Sequence, residues 1–140
     1  MIDFMQVEQA IFDARDRYEV KMLGVDPYLS RTLTQRLMAG EMNVNEIPQT
    51  MLSMSPAMKE LERMIRSREM LHVHNTCARW CFGNVRCAVD GNENMKPMKN
   101  KSTGRIDIAV AWIIAMATWM VARNQKPDLA AVLEAGDFSL

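Results

Sequence analysis

Apolar residues recur at helical spacing from the start of the chain. Val7, Ala10, Ile11, Ala14 and Tyr18 lie three or four apart with acids on the other face, which predicts a helix over residues 2–18. Residues 19–25 then read as a short strand closed by Asp26-Pro27, since Pro27 cannot extend a ladder but suits a first helical turn. Leu29, Leu33, Leu37 and Met38 predict a second helix over residues 28–39, with Gly40 as its left-handed cap. Residues 42–47 form a second strand candidate, stopped by Pro48. Beyond a Met-rich loop, Ser55-Pro56 reads as a cap and first turn, and Met58, Leu61, Met64 and Ile65 supply one face of a charged helix. A short helical turn over residues 75–82 precedes two strand candidates, 85–89 and 95–98. The Asp90-Gly91-Asn92-Glu93 run between them is a hairpin signal. A long helix over about residues 102–123 follows, with Ser102 and Thr103 as candidate caps, then a tail led by Pro127 with a weak helix over 129–135. The alternation of helices and strands points to an α/β fold in one domain.

Composition narrows the picture. The 140 residues suit one domain and leave no room for separate motor and catalytic domains. An apolar fraction of 49% with net charge zero favours a packed core over disorder. Fourteen Met against 6% aromatics mean that flexible thioethers fill part of that core. Three cysteines and an N-terminus without a basic-then-apolar signal pattern suggest free thiols in a reducing cytoplasm. The uncharged run from Ile108 to Ala122 is short for a membrane span and follows Arg105 and Asp107 closely, so it reads as a core helix.

Two acids stand out by position. Asp26 ends an apolar strand, where α/β sheets place ligand-binding groups, although Asp-Pro is also a common strand-end turn. Asp107 is the only acid between Ile106 and Ala122, near a helix start whose dipole favours an anion. A salt bridge to Arg105 or a nearby Lys would equally explain it. If the two acids met, they could hold a divalent cation of the kind that serves phosphodiester cleavage. Lys96, Lys99, Lys101 and Arg105 form a basic loop without an acid leading into Asp107, whereas the first twenty residues carry five acids against two basics. Such a loop suits a phosphate backbone, or is a solvated helix entry. His72, His74, Cys77, Cys81 and Cys87 raise a zinc site, but their spacing matches no paired C-x2-C knuckle, and Trp80 and Phe82 suggest packing cysteines.

The runs MSPAMKELERMI, LHVHNTCARWCFGNV and DGNENMKPMKNKSTGRIDIAVAWIIAM, with VDPYLSRTLTQRL and VNEIPQ upstream, occur in one collinear order. Together they resemble the C-terminal nuclease domain of tailed-phage terminase large subunits, from about Ile2 to Met120. The resemblance implies a partial ribonuclease H-like fold: a mixed sheet flanked by helices, with a C-terminal β-hairpin and long helix. It assigns residues 1–123 to the nuclease domain and 124–140 to a tail, without the family's ATPase domain. It implies a Mg2+- or Mn2+-dependent endonuclease that cuts concatemeric double-stranded phage DNA during packaging, in the cytoplasm of a bacterial host.

By the same resemblance, the acid of the family's strand-end Asp-Pro motif falls on Asp26 and that of its Ile-Asp helix motif on Asp107, as catalytic and metal-binding residues. Lys96, Lys99, Lys101, Ser102 and Arg105 become DNA-binding candidates, and His72, Trp80 and Asn84 occupy recurrent positions. Ile108 departs from the family's usual Gly. The family's first acid and first strands would precede this chain, which implies a fragment with little activity alone and a bare edge on the strand ending in Asp26. That edge could pair with a complementary terminase fragment, a second copy or another packaging protein such as the small subunit or portal. The competing reading is a non-catalytic remnant or binding module, with a small zinc protein behind it.

Overall fold

A computed structural model describes residues 3–28 and 31–125. Five helices and four short strands follow one another as α1 (Phe4–Arg17), β1 (Leu23–Val25), α2 (Arg31–Ala39), β2 (Val44–Glu46), α3 (Met51–Arg66), α4 (Thr76–Asn84), β3 (Cys87–Val89), β4 (Met95–Pro97) and α5 (Asp107–Asn124). The weak helix expected in the tail lies outside the described residues.

The helix α5 organises the core because it is apolar on nearly every side. It packs against α3, α4 and β1. Ile106, Val110, Ile113, Met116 and Ala117 interlock with Ile47, Met54, Ala57 and Leu61. The strands form two separate pairs. β1 and β2 run parallel, Leu23 opposite Val44 and Val25 opposite Glu46, while β3 and β4 run antiparallel, Cys87 opposite Pro97. Parallel pairing needs a crossover, which α2 supplies. It also brings the carboxyl ends of β1 and β2 to one place, and this positions Asp26.

Several helix ends differ from the sequence expectation. Thr50, not Ser55, caps α3, accepting the Ser53 N–H. Ser55 is only 1% exposed, and its hydroxyl instead accepts the Met95 N–H at 3.1 Å, pinning β4 to α3. Pro56 therefore lies inside α3 rather than at its first turn. Gly40 is not the left-handed residue after α2. Glu41 takes that conformation (φ 63°), while Gly40 gives Phe12 room, a Cβ there falling 2.6 Å from the ring. The amides of Glu41 and Met42 then bond to the Met38 and Leu37 carbonyls, closing a Schellman motif. The last helix begins at Asp107, not near Ser102, with Ile106 in the capping position and no side-chain cap.

The apolar spacing of the first helix does not translate into a core contact. No residue of α1 is fully buried, because α2 is what it lies against, through an Arg36–Glu8 ion pair and an Arg15 bond to the Gly40 carbonyl. No helix among the described residues is long and apolar enough to cross a membrane. The three cysteines are free thiols.

Candidate active site

Asp26 follows β1 directly, and its carboxylate accepts the Tyr28 N–H at 3.0 Å, closing an Asx turn before α2. Its other oxygen takes a hydrogen bond from the Gln49 side-chain amide. Gln49 comes just after β2, so the parallel register of the two strands delivers the amide to the acid. Sequence reasoning missed this partner, although Gln49 stands in the VNEIPQ run; a polar residue just past the neighbouring parallel strand was the available signal.

Asp107 is the first residue of α5, where unpaired helical N–H groups and the dipole favour a negative charge. Its side chain is 59% exposed, and Lys99 approaches to 3.3 Å. An exposed pair of this kind contributes little to stability but sets the local charge. The loop that carries Lys99 is braced from behind. Ser102 donates to the Met98 carbonyl and accepts the Arg86 N–H, so its hydroxyl braces the loop rather than capping a helix. Thr103, the other expected cap, donates to the Asn84 side-chain oxygen, and the Asn84 amide donates to the Arg105 carbonyl. A Cβ on Gly104 would meet that amide at 2.7 Å, so the loop can pass Asn84 because Gly104 has no side chain. Asn84 thus shapes the approach to Asp107.

Of the basic candidates, Lys99, Lys101 and Arg105 are exposed and Lys96 is half-buried in β4. Four cations and one acid therefore share this stretch, giving a positive surface around the start of α5.

A resident divalent cation is a demanding test. Among the described residues no three His, Cys, Asp or Glu side chains gather to hold a metal ion. The carboxylates of Asp26 and Asp107 are each engaged by a protein donor. Two such acids do not make a complete centre by themselves. The zinc grouping fails the same test. Cys81 is buried, Cys77 and Cys87 are exposed, and His72 packs its ring against Trp112 at 5.8 Å.

Residues 1–124 match the family model described as terminase large subunit, endonuclease domain. The chain belongs to this family. Among curated proteins it is similar to Protein YmfN of Escherichia coli (strain K12), 36% identical over 103 residues, which cover 72% of this chain and 23% of that protein. Among solved structures it is similar to the HK97 bacteriophage large terminase, with a TM-score of 0.75 and 23% identity over 83% of this chain and 25% of that one. That likeness shows a fold shared with part of that protein. The chain spans about a quarter of the length of either protein. Within this terminase nuclease fold, Asp26 and Asp107 occupy a strand end and a helix start.

Proposed function

We propose that this terminase nuclease-domain chain serves a divalent-cation-dependent endonuclease acting on concatemeric double-stranded phage DNA during genome packaging. The family match over residues 1–124 carries this reading. Asp26 and Asp107 would be its contribution to an Mg2+ or Mn2+ centre, and a centre of full affinity needs further carboxylate from outside the described residues. Lys96, Lys99, Lys101 and Arg105 would face the phosphate backbone, with Ser102 holding their loop in shape. The protein would work in the cytoplasm of a bacterial host.

The partner that completes the centre would also complete the sheet. β1 pairs with β2 among the described residues, and a shallow groove of about 490 Å3 runs between β1 and the Ala111, Ala115 and Trp119 side of α5. A strand from a complementary terminase segment or another packaging protein would fit there, as would one from a second copy of the chain.

Plasmid nicking in Mn2+ tests the catalytic reading. The expected outcome is slow nicking that disappears in both Asp26→Asn and Asp107→Asn. Nicking that survives both substitutions would remove the two acids from the centre, and none at any protein concentration would favour the rival reading of a non-catalytic remnant that binds DNA or packaging proteins through the basic loop and the open edge.

A further inference from the structure

A cavity of about 530 Å3 opens between the end of α3, the extended segment 69–75, α4 and Trp112 of α5. This is the size of small-molecule sites, which run ~300–1,000 Å3. Its lining joins two chemistries. Phe82 meets Trp112 edge to face at 5.2 Å, and His72 packs on the same indole. His74, Arg68 and Arg79 line the same cavity.

The charge there is unbalanced. No Asp or Glu lines the cavity. Neither guanidinium has an ion-pair or hydrogen-bond partner among the described residues. The neighbouring acid, Glu69, is held by Arg63 through two hydrogen bonds of 2.8 and 2.9 Å. Arg68 is also placed at a cost. It is the left-handed residue (φ 57°) of a Schellman motif ending α3, where Glu69 N–H bonds to the Met64 carbonyl and Arg68 N–H to that of Ile65. Glycine is the favoured residue at such a position.

We propose that this cavity is a nucleotide site, taking a base against Trp112 and Phe82 and its phosphate on Arg68 and Arg79. Aromatic surface beside arginine is what a planar base joined to an anion requires, and arginine matches phosphate oxygens two at a time. The ligand is an unpaired nucleotide of single-stranded DNA or a free nucleotide, which share this chemistry. The inference rests on the DNA-acting reading above, but the cavity is lined by neither Asp26 nor Asp107.

Binding in EDTA separates the two ideas, because no cleavage is read. Labelled oligo-dT, a labelled duplex of the same length and dTMP are titrated into the full chain, by anisotropy for the DNAs and by indole N–H resonances for all three. The Trp112 resonance should move with oligo-dT or dTMP while that of Trp119 stays. A response to both marks a strand site, and to dTMP alone a free-nucleotide site. Arg79→Gln and Arg68→Gly should each weaken that binding roughly tenfold, about what one hydrogen bond to a charged group contributes. Arg68→Gly should melt no lower than wild type, so its loss cannot be misfolding. Unchanged affinity in both variants would overturn the site. So would an equal loss for duplex DNA with a silent Trp112, which would reduce the arginines to backbone contacts. This binding is read at Trp112 in EDTA and the nicking in Mn2+ through Asp26 and Asp107, so failure of the nuclease reading and failure of the nucleotide site are separately visible.

Discussion

At Gly24 the side chain is excluded by a neighbouring helix. A Cβ there would lie 1.9 Å from the Thr118 hydroxyl oxygen and 3.0 Å from an Ile114 methyl. The hydroxyl cannot simply swing away, because it donates to the Ile114 carbonyl at 2.7 Å. Gly24→Ala should therefore cost about 1–3 kcal/mol through overpacking. Adding Thr118→Ala should recover part of that loss, a coupling that urea denaturation of the four-member cycle measures. Strict additivity would mean that β1 shifts away from α5 instead. Arg68 presents the opposite case, a side chain kept where glycine would be easier. Its replacement by Gly should raise stability by about 1 kcal/mol, at the expense of whatever the guanidinium binds.

Among the elements, the β3–β4 hairpin is the one whose folding depends on a single carboxylate. Asp90 accepts the backbone N–H groups of Asn92 and Asn94 and the Asn94 side-chain amide, which lets Glu93 close the turn at φ 59°. The Asn94 side chain, then its backbone N–H, hold the Asp90 carboxyl below its ordinary value of 3.8. A depressed acid stabilises the fold above its unfolded value and loses that contribution as pH falls through the lowered one. The hairpin should thus loosen below about pH 4. The protection factors of the Asn92 and Asn94 amides should fall there, and Asp90→Asn should show the lowered protection already at neutral pH; protection that stays constant in the wild type would refute the link. This hairpin was legible from Asp90-Gly91-Asn92-Glu93, because a turn is written in adjacent residues. The start of α3 was not. Ser55-Pro56 carries a local capping signal, yet Ser55 is claimed by Met95, forty residues away, and Thr50 does the capping. The same limit governed the candidate site. Asp26 and Asp107 were visible as isolated acids at element ends and Lys99 as one cation of the loop, whereas Gln49 became visible as a partner only once strand pairing set it beside Asp26, and the bracing by Asn84 only once the loop packed on it.

Over the whole molecule, net zero charge conceals a division. The five acids of the first twenty residues lie on and around α1, and the cations cluster on the loop before α5. If DNA lies along that loop, Lys101→Ala should lower the salt dependence of duplex binding by about 1 unit of slope, the value for one phosphate contact. Lys99→Ala should lower it by less, because Asp107 already offsets part of that charge. Equal slopes in wild type and both variants would reduce the loop to solvated surface. The packing of β1 against Thr118 has a consequence for how the chain is made. Gly24 leaves the ribosome long before the helix that covers it, and at ~5–20 residues per second the ~90 residues between them take several seconds to synthesise. Through that interval the first strand pair waits with its apolar side open to water and to other nascent chains. A message broken before the codon for Asp107 would release a product locked in that waiting state, more prone to aggregate than to linger as a smaller folded domain.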